Sequence, residues 1–197
     1  MDEHVEGVEP TGHFRIYLGA AGQVALALSK ALVTGPHRTL MQDPVFAIDQ
    51  LVEIAIRALS PAVNDTFTAL TCIDWLSAGL SQVSGRTLAE GVYRDRYNRV
   101  RLIETDPSYA RMVNRAFDKI RQSSRGMPAV IIRMLDALSS VASDVTSPSE
   151  LGVLTRQAAM ILQAAEESVP EENDLEDIRA RYRRLAEIAA SKDGASE

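Results

Sequence analysis

Cysteine occurs once in this chain of 197 residues, at Cys72, so no internal disulfide and no cysteine metal cage can form. A lone thiol reads as a small buried apolar side chain in a reducing compartment. Histidine is scarce too: His4, His13 and His37 stand at no zinc-binding spacing, and no metal or organic cofactor is implied. No P-loop, G-x-S-x-G elbow or dinucleotide glycine motif is present, so no standard enzyme class announces itself. Excess positive charge is lacking: 21 Lys and Arg against 27 Asp and Glu leave a net charge of -6. That balance argues against nucleic acid as a partner, because affinity for a phosphate backbone rests on neutralising it with Lys and Arg. Aromatics are only 5%, but 46% apolar and 24% charged residues are ordinary for a globular chain rich in Ala and Leu.

Long uninterrupted apolar runs are missing as well. Ile16 to Val33 has about the length needed to cross a bilayer, but Gln23, Ser29 and Lys30 interrupt it and much of the rest is Ala and Gly. It reads as a docked or interfacial helix. Met1 to Glu9 is acidic and lacks the basic and apolar regions of a secretory signal, so the expected location is cytoplasmic.

What the sequence does have is clear helix punctuation. Asp43-Pro44, Asp106-Pro107 and Ser147-Pro148 each set an acceptor side chain before a proline, which suits the first helical position because it needs no N–H there. Glu150, three residues after Ser147, adds a capping-box pattern. With apolar positions recurring at three and four, helices are expected near 14–33, 44–59, 65–82, 107–123, 127–143, 148–168 and 173–191. In residues 91–104, β-branched and aromatic residues alternate with Arg94, Arg96, Arg99 and Arg101, which predicts a short hairpin turning near Tyr97-Asn98. The arginines would make a local basic patch for solvent, an anion or an acidic segment such as Glu166 to Asp177. The expected architecture is mainly α: a single-domain bundle of six to seven helices over 13–191, with one hairpin insertion and flexible tails at 1–12 and 192–197.

Arg38 to Asp74 carries the most information. In helix 44–59 only Asp49, Gln50, Glu53 and Arg57 are polar from Val45 onward, and at about 100° per residue they share an arc of roughly 100°. Such a helix is expected at the centre of a bundle, its polar strip a window to solvent or a buried network. Glu53 and Arg57 stand at i and i+4 in the favourable order. Beyond Ser60-Pro61, Asn64 and Asp65 lead into a helix carrying Thr68, Thr71 and Asp74. If the two helices pack antiparallel, Asp74 and Thr71 run back beside Arg57 and Glu53.

The run RTLMQDPVFAIDQLVEIAIRALSPAVNDTFTALTCIDWL closely resembles the signature of a bacterial family of predicted membrane proteins, domain-of-unknown-function family 2254, and specifically its soluble C-terminal domain. The resemblance covers Arg38 to Leu76 strongly and roughly 150 residues more loosely. Arg38, Gln42, Asp43, Gln50, Arg57, Ser60, Asn64, Asp65, Thr68 and Asp74 match the motif residue for residue. Thr66 stands where the family usually has proline, and the family's multi-span membrane region is missing. The resemblance implies no assigned activity. It allows a position peripheral to the inner membrane and association with a membrane protein.

Three functional expectations follow. The first is a ligand-sensing or protein-interaction module, expected to be a homo-oligomer, binding a small polar or anionic molecule through Arg38, Gln42, Asp43, Gln50, Ser60, Asn64, Thr68 and Asp74. The second is a hydrolase of a small ester or phosphoester, with Glu53 or Asp65 positioning water and Arg57 or Arg38 stabilising the developing negative charge. The third is a structural scaffold, in which the same residues form a satisfied polar network.

Overall fold

The computed structural model describes residues 3–9, 12–18, 44–86, 92–103 and 108–193. The chain is mainly α, as the periodicities predict, and separates into two compact units, Met1–Phe46 with Thr87–Ser108 and Ala47–Arg86 with Tyr109–Glu197.

The first unit holds a four-stranded antiparallel sheet of β1 (Glu3–Glu9), β2 (Gly12–Leu18), β3 (Val92–Arg94) and β4 (Val100–Ile103), in the order β1-β2-β4-β3. The β3–β4 hairpin stands where alternation predicted it, with Tyr93 opposite Leu102, a bulge before Arg94, and Asn98 in the left-handed region at φ 63°. Asp95 organises the turn, accepting from the N–H groups of Tyr97 (2.8 Å) and Arg99 (3.1 Å) and from Arg101 Nε at 3.0 Å. These donors, the Arg99 N–H foremost, hold its carboxyl below the usual carboxylate range. Strands β1 and β2 correct the expectation of a frayed tail and a helix beginning near residue 14. The segment GHFRIYL alternates apolar and polar residues with β-branched and aromatic types, and Pro10-Thr11-Gly12 is turn chemistry. The Ala- and Leu-rich run that follows set the helical reading; residues 19–33 lie outside the described residues.

The second unit is a bundle of α1 (Pro44–Ala58) from Ala47 onward, α2 (Thr66–Val83), α3 (Tyr109–Ser123), α4 (Pro128–Asp144), α5 (Pro148–Glu166) and α6 (Glu172–Asp193). Its centre is α4, which packs against α2, α5 and α6, while α3 lies on α5. Val130, Met134, Leu135, Leu138, Val141 and Ala142 of α4 are fully buried. This corrects the expectation that helix 44–59 is central. A helix that is apolar almost all round does not reveal which neighbours cover it, and among the described side chains of α1 only Val52, Ala55 and Ala58 are buried, with Ile54 47% exposed.

Caps and clamps fix the helix ends. Ser147 begins α5 as expected, but its hydroxyl pairs with Ser149 Oγ (2.9 Å), and Glu150 accepts from the Gly85 N–H (3.2 Å), so the capping box is not formed. Lys192 Nζ donates to the carbonyls of Ser143 (2.6 Å) and Val145 (2.7 Å), satisfying acceptors at the end of α4 from the last turn of α6. At the α3–α4 turn Gly126 sits at φ 73° and donates to Ser168 Oγ at 3.1 Å. A Cβ there would stand 3.3 Å from the Ser168 carbonyl oxygen, so conformation and space both call for glycine. Among the described residues no helix is long and apolar enough to cross a membrane.

Candidate functional site

The corner between α1 and α2 is built almost entirely by the polar residues singled out in the sequence. Helix α1 closes as Ser60 turns its hydroxyl back to the Arg57 carbonyl (2.7 Å), and Pro61 supplies no N–H to continue the ladder. The Asn64 N–H returns to the Ser60 carbonyl (2.9 Å), and Asn64 takes φ 49°, a conformation its side chain tolerates far better than most. The Asp65 N–H then reaches the Ala58 carbonyl at 2.8 Å, tying the start of α2 to the end of α1. Asp65 is the N-cap of α2: Oδ1 accepts from the Thr68 N–H (3.1 Å) and Oδ2 from the Thr68 hydroxyl (2.5 Å). These bonds, the hydroxyl's foremost, lower its carboxyl pKa. Thr66 occupies the first helical position, where proline is equally at home.

The remaining residues lie along the two helices. Glu53 and Arg57 pair at 2.8 Å on the open surface, with side chains 52% and 76% exposed. Gln50 is exposed beside them. Asp49 makes a bidentate ion pair with Arg115 of α3, one arm of which measures 2.8 Å. Asp74 faces Arg133 of α4 at 3.4 Å. It does not run back beside Glu53, because α1 and α2 diverge from the corner and do not pack along each other. Arg38, Gln42 and Asp43 lie outside the described residues. The expected polar cluster inside an apolar bundle is therefore opened out: Gln50, Glu53, Arg57, Asn64, Asp65 and Asp74 are all exposed. An isolated buried charge is costly, and here each described carboxylate of the set has a partner at the surface.

Between these polar groups the surface is unusually apolar. Phe67 is 83% exposed, Trp75 66%, and Val63 is exposed in the turn. Cys72, by contrast, faces inward as its lone occurrence implied, and burial pushes its thiol pKa up. Sequence reasoning missed Asp49–Arg115, whose partners lie 66 residues apart, and the outward aromatics, which periodicity alone assigns to a core. It also missed a polar groove of about 410 Å³ lined by Asp136, Ser139, Ser143, Asp144, Arg181 and Arg184. The signal was there, in acidic and serine residues at i, i+3 and i+4 on one helix. Asp136 pairs with Arg181 at 3.4 Å, the hydroxyls of Ser139 and Ser143 bond to the backbone one turn back, and none of the described signature residues lines it.

A self-capped corner presented on a helical bundle defines an α-helical module whose signature residues shape its surface. The chain belongs to the family whose model is described as predicted membrane protein (DUF2254), which matches residues 8–140. Similar proteins include uncharacterised proteins of Mycobacterium bovis and of two strains of Mycobacterium tuberculosis, each 34% identical over 154 residues. The match covers 78% of this chain and 30% of each relative, so the chain spans about a third of the length of the curated relatives it matches. No solved structure matches.

Proposed function

We propose that this chain is a protein-interaction module whose contact surface is the α1–α2 corner with the outward face of α2. The observation that carries the reading is the exposure of Phe67 and Trp75 beside a corner whose polar groups are engaged in its own geometry. Large aromatic side chains left in water forgo roughly 1.5–3 kcal/mol each of burial, and such residues are what binding surfaces concentrate at their centres. A small anion at Arg57 would compete with Glu53 at 2.8 Å, and a hydrolytic Asp65 would first give up both bonds from Thr68. These occupied partners favour interaction over ligand binding or hydrolysis. The family's designation as predicted membrane proteins supports a working position at the cytoplasmic side of the inner membrane, beside membrane-embedded segments.

The test is site-specific photo-crosslinking in living bacteria. A benzophenone amino acid at position 67 or 75 is expected to give discrete protein adducts, whereas the same group at Arg156, exposed on α5, gives none. Equal labelling at all three positions, or none, would remove the reading.

A further inference from the structure

On α2, Phe67, Thr71, Trp75 and Gly79 recur at intervals of four, so they form one slightly slanted row along the helix. All four are exposed, while Ala69, Cys72, Ile73, Leu76 and Leu80 make the buried face. Along the row side-chain size alternates: large, small, large, small. Gly79 is informative because a Cβ there would meet nothing within 4 Å. Among the described residues nothing packs close enough to ask for glycine here, yet glycine inside a helix costs about 1 kcal/mol relative to alanine. What sets Gly79 apart is its place in the row, where the missing side chain leaves room for a large one brought from outside.

We propose that this row is the contact face of an antiparallel, two-fold pairing with a second copy of this chain, which rests on and deepens the interaction-module reading. When the row is reversed and laid against itself about Ile73, Phe67 falls opposite Gly79 and Trp75 opposite Thr71. Each ring then meets a small residue, and the two-fold axis repeats each contact. A parallel in-register pairing would instead set Phe67 against Phe67 and Gly79 against Gly79, ring against ring and gap against gap. Rows spaced at i±4 are the ridges that interdigitate in the commonest class of helix packing. Charge is compatible as well: Asp74 is the only charged residue of α2 and is already paired with Arg133 at 3.4 Å, so a second copy brings no uncompensated charge to the contact. An 18-residue helix is about 27 Å long, and one helix pair covers less than the roughly 800 Å² per partner of a standard interface. A contact of that size is expected to be reversible and concentration-dependent.

Trp75 is the only tryptophan, which makes the purified chain its own reporter. Sedimentation velocity from low to high micromolar concentration is expected to show a monomer–dimer equilibrium, with tryptophan emission moving to the blue as dimer forms. Thr71→Trp opposes ring to ring and Trp75→Thr removes the ring, so each weakens pairing by roughly tenfold or more. The double variant Thr71→Trp/Trp75→Thr restores the alternation and recovers most of the affinity. Gly79→Gln fills the gap opposite Phe67 and is a better helix former, so it weakens the dimer while raising the monomer's melting temperature, a combination that loss of folding cannot produce. A monomer at every concentration with solvent-exposed emission overturns the pairing, and a dimer indifferent to these variants overturns the face. A double variant no tighter than the singles overturns the antiparallel register. If the chain is monomeric while position 75 still crosslinks to a different protein in cells, self-pairing fails and the interaction reading survives; without any crosslink the reading itself fails.

Discussion

Asp65 and Thr68 are joined twice, the threonine N–H to Oδ1 at 3.1 Å and its hydroxyl to Oδ2 at 2.5 Å, so one residue engages both oxygens of the α2 cap. Because both bonds favour the ionised carboxyl, its folded pKa lies below the unfolded value. A carboxyl of that kind contributes stability that is complete above the unfolded pKa and is lost as the pH falls through the lower folded one. Asp65→Asn keeps the cap, since Asn ranks with Asp at this position, but removes the acid dependence. Asp65→Ala loses the cap at every pH. Urea unfolding of the three proteins between neutrality and about pH 3 is therefore expected to show wild type and Asp65→Asn alike near neutrality and diverging below about pH 4, where wild type loses stability that Asp65→Asn keeps. Asp65→Ala should be the least stable at neutral pH. An Asp65→Ala protein as stable as wild type would mean that the corner does not depend on this cap.

The helices were legible because prolines and acceptor side chains mark their starts, and α5 begins at the Pro148 that the sequence indicates. Most of the corner was legible for the same reason: Ser60, Asn64, Asp65 and Thr68 are residue types that turn and cap. Placement was not. That α4 and not α1 is central depends on which helices meet, and in periodicity Ile54 at 47% exposure looks no different from Leu138 at 0%. Strands β1 and β2 were obscured by the helix-forming composition downstream, which outweighs seven residues of alternation in a long window. The alternation of Phe67, Thr71, Trp75 and Gly79 is visible in the letters, but only exposure separates a docking row from a core stripe.

The position of the core can be tested by truncation. Leu138→Ala removes a fully buried side chain at the centre of the bundle and is expected to cost roughly 2–5 kcal/mol of unfolding free energy. Ile54→Ala, on a side chain already half in water, is expected to cost about 1 kcal/mol or less. Chemical denaturation measures both. If Ile54→Ala proved the costlier change, α1 would be the central helix.

Two glycines make opposite predictions. Gly126 has φ 73°, and a Cβ added there would lie only 3.3 Å from the Ser168 carbonyl oxygen, so Gly126→Ala should destabilise by roughly 1–2 kcal/mol. Gly152 lies inside α5 with nothing within 4 Å of a Cβ, so Gly152→Ala should stabilise by up to about 1 kcal/mol. Thermal melts of the two variants would shift in opposite directions. A shared direction would contradict either the left-handed turn at Gly126 or the open face of α5.

Glu53→Gln separates the three functional readings in one variant. Glu53 and Arg57 form an exposed i, i+4 pair at 2.8 Å, and pairs of this kind contribute roughly 0.3–0.5 kcal/mol. As a surface residue of an interaction module, Glu53 can lose its charge with a stability change of that size or less, and with the helical circular dichroism unchanged. A scaffold that needed the polar strip as a network would lose several times more, because breaking a buried network leaves its other members unpaired. A hydrolase using Glu53 to position water would keep its stability and lose turnover of small esters or phosphoesters. The exposure of both side chains favours the first outcome. Turnover present in wild type and abolished in Glu53→Gln would reinstate the enzyme reading, whatever the crosslinking at Trp75 showed.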